Sequence, residues 1–356
     1  MNLLTIYEKL EAVLKKLPEG LHQPILREIE PIKTLFLQQR PPRLMLLGDR
    51  SVSRAAILNA LYGSEILRAT EDVTQSGGWD QYSASGRGRV TLLDARLPIG
   101  LPVLSRPIGA EPADLYLFVR GAKGIDEGLA ADLDHAAAVV ALADGQYQER
   151  PKILGLQVGN AAGEDQRLEL HGVLFTKPSL AERTLGALLL SARDKAVEQI
   201  AIELPGSAQL EMARVSQIRS LQHQIAGVVV KSVSAICGAI GAQPIPLADF
   251  PILTSLQGSM VASIAHVSGR EFNAKLAAEF LGALGANIGA GLVLREGARA
   301  AAKLIPGWGN AISGGVAAAG TYAIGRAAVA YFIDGVSLAD ARSIFRRRGK
   351  PAALLK

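Results

Sequence analysis

Gly48-Asp49-Arg50-Ser51-Val52-Ser53-Arg54-Ala55 lies between a buried apolar run, Leu44-Met45-Leu46-Leu47, and the helical pattern Ala56-Ile57-Leu58-Asn59-Ala60-Leu61. That is the strand–loop–helix setting of the phosphate-cradling signature G-x-x-x-x-G-K-[ST]. There the glycines let backbone N–H groups close on phosphate oxygens, the lysine reaches the outer phosphates and the hydroxyl binds Mg²⁺. Only the first glycine, Gly48, is in place. Ser53 stands for the second glycine, Arg54 for the lysine and Ala55 for the Ser/Thr. The segment has the shape of a nucleotide site without its chemistry.

The surrounding elements follow from periodicity. Leu3, Ile6, Leu10, Val13, Leu14 and Leu17 make one helical stripe, and Leu21, Ile25, Ile29, Ile32, Leu35 and Phe36 a second. Pro18-Glu19-Gly20 separates them and Pro41-Pro42 ends the pair. Arg43–Leu47, Arg89–Asp94, Leu115–Arg120, Lys152–Val158 and Gly172–Thr176 read as buried strands, with helices at Arg54–Tyr62 and Leu129–Ala143. This alternation predicts an α/β region with a mostly parallel sheet, whose ligands bind at the carboxyl ends of the strands. The domain reading is a helical pair over 1–42, the α/β region over 43–180, a helical connector over 181–222 and an all-α Gly/Ala-rich C-terminal domain over 223–356 ending in a basic tail.

Composition narrows the class. Of 356 residues 49% are apolar but only 5% aromatic, which predicts closely packed helices built on Ala, Gly, Leu and Val. The net charge of +5 is concentrated toward the end, in Arg342, Arg346, Arg347, Arg348, Lys350 and Lys356, where it favours an anionic surface. The basic tail lacks the interleaved aromatics of a nucleic-acid site. Cys237 is the only cysteine, so there is no internal disulfide or Cys-based zinc cluster, and the usage suits a reducing cytosol. Glu8, Lys9, Glu11, Lys15 and Lys16 interrupt any secretory pattern at the start. Ser232–Ala248, Phe250–Ala265 and Leu304–Gly325 carry no charge. The last is long enough to span a bilayer, where about 20 residues suffice, but Pro306 and its glycines fit a simple span poorly. Gly285-Ala286-Asn287-Ile288-Gly289 has small-xxx-small spacing for close helix contact, and Pro244 and Pro246 predict a turn between two helices. His171 and His266 stand without a second ligand at metal spacing, and no Ser-His-Asp arrangement appears. No catalytic or metal residues are assigned.

The order of elements resembles the bacterial Era-like GTPase family fused to a YcjF-type C-terminal helical domain of unknown function. The resemblance rests on Gln39-Arg40-Pro41-Pro42-Arg43-Leu44, on Ala242-Gln243-Pro244-Ile245-Pro246-Leu247-Ala248-Asp249-Phe250-Pro251 and on Leu304-Ile305-Pro306-Gly307-Trp308-Gly309-Asn310. It implies a P-loop NTPase-like domain with degenerate nucleotide motifs. Ser53 adds a Cβ where the loop is expected to need positive φ, at a cost of about 1–2 kcal/mol. Arg54 is longer than a lysine and planar. Ala55 offers a metal no oxygen. Asp94-Ala95-Arg96-Leu97 takes the place of Asp-x-x-Gly, keeping Asp94 but replacing the glycine that would meet a γ-phosphate. Asn160-Ala161-Ala162-Gly163 takes the place of Asn-Lys-x-Asp, keeping Asn160 and losing the guanine-gripping aspartate, with Glu164 or Asp165 as shifted substitutes. Thr74 or Ser76 would stand for the switch threonine. The bland alternatives are that Gly48 simply turns the strand, Asp94 ends one and Asn160 stabilises a loop.

These readings converge on a non-catalytic pseudo-GTPase: a scaffold or regulatory module with no required cofactor, its helical domain docking on a membrane or partner protein. The partner would be a protein, another copy or an intact GTPase paralogue, at the cytoplasmic face of the inner membrane or in the cytoplasm. The alternative is an unorthodox hydrolase that binds GTP and Mg²⁺ with Arg54 in the lysine's role.

Overall fold

The computed structural model describes residues 19–68, 77–121, 127–146, 150–159, 164–242, 249–285 and 309–348. The expected stripe over Leu3–Leu17, Thr74 and Ser76, Asn160–Gly163, Gln243–Ala248, Ala286–Gly289, Leu304–Trp308, Lys350 and Lys356 lie outside these residues. The chain divides into two compact units, residues 40–218 and residues 1–39 with 219–356.

The first unit is an α/β layer structure. Its strands are β1 (Arg43–Gly48), β2 (Trp79–Ser83), β3 (Arg89–Asp94), β4 (Leu115–Arg120), β5 (Lys152–Gln157) and β6 (Thr184–Leu189). They form one sheet in the order β2-β3-β1-β4-β5-β6, parallel throughout except for the β2–β3 pair. Helices α2 (Arg54–Tyr62), α3 (Leu101–Ala110), α4 (Glu127–Asp144), α5 (Glu164–Leu174), α6 (Pro178–Ala181), α7 (Arg193–Glu203) and α8 (Gly206–Ser216) complete it. The strand order reverses at β1, so the carboxyl ends of β1, β3 and β4 meet at the switch point where such sheets bind ligands.

A strand covered on both faces reads as an unbroken apolar run, and β1 does. Met45 and Leu47 join Leu93, Tyr116 and Phe118 in a core with Leu104 and Ile108 of α3 and Leu133, Val139 and Val140 of α4. Leu44 and Leu46 alternate with them and are equally buried. Helices α2, α7 and α8 pack on one another, α8 also against β3 and α7 against β6. Arg193 of α7 fastens the end of α2, donating through Nε to the Ala60 carbonyl at 2.6 Å and through Nη2 to the Leu61 and Ser216 carbonyls at 3.1 and 2.7 Å.

The mostly parallel sheet with flanking helices agrees with expectation, but two elements differ. Gly172–Thr176, expected as a strand, begins in the last turn of α5. Leu170 and Leu174, one helical turn apart, are buried there while Phe175 is exposed, so the run has a helical period. The sixth strand is instead β6, inside residues 181–222 expected to be wholly helical. Strand β2 escaped prediction because Trp79-Asp80-Gln81-Tyr82-Ser83 is a half-exposed edge with no apolar run.

The described residues of the second unit are helical: α1 (Glu19–Ile32), which runs on into a π-helical turn over Lys33–Leu37, with α9 (Arg219–Gly241), α10 (Asp249–Val267), α11 (Ala274–Gly285), α12 (Gly309–Phe332) and α13 (Leu338–Arg348). Helix α9 packs against α1, α10 and α12. A Cβ on Gly314 of α12 would lie 2.7 Å from the Gly238 carbonyl and 2.9 Å from the Ala242 Cβ, so α9 and α12 meet at backbone distance. Cys237, next to Gly238 on α9, is buried. By length and composition α9 could cross a membrane, with a window of mean hydropathy 1.6, yet 61% of that window is buried among its neighbours.

Gly48 has φ +91°, and a side chain there would press into the Val119 carbonyl of β4. Gly48→Ala is expected to lower stability by about 1–3 kcal/mol, read as a lower urea midpoint at unchanged m-value. An unchanged midpoint would mean that this close approach constrains nothing.

Candidate functional site at the carboxyl edge of the sheet

The loop after β1 is held from inside. The Asp49 N–H donates to the Val119 carbonyl at 2.9 Å, extending the ladder to β4. Its carboxylate accepts the Ser51 N–H through Oδ1 at 2.7 Å and the Gly121 N–H through Oδ2 at 3.2 Å, joining the loop to the end of β4. Burial pushes the Asp49 carboxyl up, but hydrogen bonds from Ser51 and Gly121 and the charge of Arg120 outweigh it, and the group sits below the usual carboxylate range.

Ser53 does not need positive φ. It is extended, at φ −66° and ψ 144°, and its Oγ accepts the Ala56 N–H at 3.1 Å as the N-cap of α2. The expectation of strain at this position is therefore corrected: a serine is favourable where a helix needs a capping acceptor. Arg54 begins α2, is buried, and donates through Nη1 to Asp80 Oδ2 of β2 at 3.0 Å. Ala55 is buried beside it.

Asp94 closes β3 against Arg96. Arg96 Nε reaches Asp94 Oδ1 and Nη2 reaches Oδ2, each at 2.8 Å, a bidentate pair in which both residues are buried. Arg96 Nη1 then donates to the Asp49 and Val52 carbonyls at 2.9 and 2.6 Å. For Asp94, too, burial raises the pKa, but the hydrogen bonds and charge of Arg96, with Arg50 beyond, outweigh it, and the carboxyl lies below its ordinary range. Around this centre His135 Nε2 donates to the Ala95 carbonyl at 2.9 Å, Gln157 Nε2 to the Gly121 carbonyl at 2.6 Å, and Arg120 lies 4.0 Å from Asp132 of α4.

The structure thus brings Gly48 and Asp94 to the switch point on neighbouring strands and turns Arg54 toward Asp80 on β2. Asn160 lies outside the described residues. Sequence reading missed Arg96 as a site residue and Asp49 as the loop's brace. A signal for Arg96 existed: residues two apart on an extended chain share a side, so an arginine two places after Asp94 is poised to fold back on it.

A phosphate-binding loop turns backbone N–H groups inward on an anion. Here the Asp49 and Val52 carbonyls turn onto a buried guanidinium, the Ser51 N–H is taken by Asp49 and the Ala56 N–H by Ser53. Position 54 carries an arginine engaged with Asp80, and position 55 a methyl. These residues do not fit a Mg²⁺-nucleotide. Among the described residues no group of three His, Cys, Asp or Glu side chains is placed to hold a metal ion.

No family model and no curated protein matches the chain. Among solved structures it is similar to Era in complex with MgGDPNP and nucleotides 1506-1542 of 16S ribosomal RNA, at 12% identity and a TM-score of 0.32, covering 56% of this chain and 68% of that one. It is also similar to an oligomerised bacterial dynamin pair described as sensing and tethering membranes, at 9% identity and a TM-score of 0.28, over 80% of this chain. The chain spans about half, 49%, of that dynamin.

Because its folded pKa is lowered, the Asp94 carboxylate contributes stability above the ordinary carboxylate range, and that contribution is lost as pH falls below this range toward the folded pKa. Asp94→Asn is expected to lower neutral-pH stability by about 3–5 kcal/mol, leaving Arg96 buried without its counter-charge. It should also flatten the fall of stability between about pH 5 and pH 3. Urea titrations across that range check both, and an unchanged acid slope would remove Asp94 from the linkage.

Proposed function

We propose that this chain is a non-catalytic pseudo-GTPase, a nucleotide-independent α/β module coupled to a helical unit of YcjF type that docks on other surfaces. The observation that carries the reading is the commitment of the P-loop equivalent: Arg54 to Asp80, Ser53 to the α2 N-terminus, and no hydroxyl at position 55. An arginine held by Asp80 is withdrawn from a lysine's role at phosphates, which counts against the reading as a GTP hydrolase. The role is scaffolding or regulation of a protein partner, another copy or an intact GTPase paralogue, at the cytoplasmic face of the membrane.

The helical unit supplies the docking surface. Helix α13 holds Arg342 on the Ala283 carbonyl at 2.6 Å and leaves Arg346 and Arg347 exposed ahead of the basic residues Lys350 and Lys356. Exposed arginines meet anionic headgroups at about 1 kcal/mol each.

Mg²⁺-GTP and Mg²⁺-ATP are expected to leave the thermal midpoint of the purified protein unchanged. Binding at 100 times Kd would instead add about 2.7 kcal/mol. Phosphate release that scales with protein and disappears in Arg54→Ala would establish the hydrolase reading in its place.

The full chain is also expected to float with phosphatidylglycerol vesicles and not with phosphatidylcholine vesicles, and Arg346→Ala with Arg347→Ala to weaken binding by about 1 kcal/mol per charge removed. Equal flotation with both vesicle types would refute the anionic-surface component.

A further inference from the structure

The Arg96 guanidinium makes more contacts than an ion pair with Asp94 requires. It places four N–H groups, of the five a guanidinium carries, on four oxygens: both Asp94 carboxylate oxygens and the carbonyls of Asp49 and Val52. The two carbonyls come from opposite ends of a four-residue turn and meet at one nitrogen, Nη1. Arg96 is only 2% exposed, so its charge is neutralised almost wholly by these groups. The turn is wrapped around a cation.

We propose that Arg96 is the resident ligand of this loop: a guanidinium tethered to the end of β3 that holds residues 49–52 closed with no molecule from outside. The inference rests on reading the loop as nucleotide-independent and goes further, because it assigns what fills the loop and inverts its preference. The site selects a planar cation over an anion. Shape matters as much as charge: a lysine ammonium is a compact point charge and cannot hold the Asp94 oxygens and both carbonyls in one plane. In the intact chain the loop is permanently in its ligand-held form, so the module presents one fixed surface rather than two nucleotide-dependent ones.

Chemical rescue in the full-length protein tests this. Arg96→Gly is expected to lower the thermal midpoint by roughly 6–20 °C, the loss associated with removing one partner of a buried charged pair. Millimolar methylguanidinium should recover part of that loss in the variant while leaving the unmutated protein unshifted. Methylammonium and inorganic phosphate should recover none.

Arg96→Lys, which keeps the charge and folds under milder perturbation, provides a second measurement. Amide hydrogen exchange over residues 49–53 should accelerate by about tenfold or more, with α9 and α12 unaffected. An Arg96→Gly midpoint equal to that of the unmutated protein, recovery by methylammonium as good as by methylguanidinium, or unchanged exchange over 49–53 in Arg96→Lys would each overturn the proposal. The nucleotide-independent reading fails separately, on binding of Mg²⁺-GTP to the unmutated chain, which methylguanidinium rescue does not measure.

Discussion

A charged side chain is stable inside a protein only when hydrogen-bonding partners or opposite charges surround it, because burial otherwise removes more hydration than the interior returns. The Arg96–Asp94 pair meets that condition at the point where the sheet reverses direction. Asp94 needs Arg96 to remain ionised under cover, and Arg96 needs the loop carbonyls to satisfy its remaining N–H groups. The loop in turn can point those carbonyls inward only because Asp49 takes up N–H groups of Ser51 and Gly121 on its carboxylate. Gly48 at φ +91° lets the backbone leave β1 in the direction this arrangement requires. Each element of the switch point is thus conditioned on one buried cation.

The same logic explains the residues that break the phosphate signature. In a loop organised around an anion, a serine at position 53 and an arginine at position 54 are losses. In a loop organised around a cation they have other uses. Ser53 caps α2, which fixes where the helix begins, and Arg54 joins that first turn to the β2 edge through Asp80. Helix α2 is held at its other end by Arg193 and a left-handed Gly63 cap. A helix pinned at both ends by protein groups has little need of a ligand at its N-terminus.

The helical unit obtains its cohesion differently. Aromatic side chains are few, so packing relies on small residues that let backbones approach, as at Gly238 and Gly314. Close approach brings many weak contacts together per residue and leaves no room for a substituted Cβ. The uncharged stretches within α9 and α10 pack against each other and against α12.

Much of this was legible in the sequence. Apolar runs marked β1, β4 and β5 and the shorter run of β3, because a strand covered on both faces is mostly apolar, while the buried polar residues Asp94, Arg120 and Gln157 stand at the carboxyl ends. Gly48 and the loop after it marked the strand-to-helix turn, and Gly/Ala density marked the close-packed helices. Periodicity failed where the environment is mixed: β2 is a half-exposed edge, and the short run Gly172–Thr176 satisfied a strand pattern while its neighbours Leu170 and Leu174 set a helical one. The motif positions showed what the loop had lost, since residue type alone decides whether a hydroxyl or a lysine is present. They did not show what the loop had gained. Arg96 acquires its role from Asp49 and Val52, more than forty residues away along the chain, and a carbonyl contributes to a site through its direction, which only the tertiary fold sets.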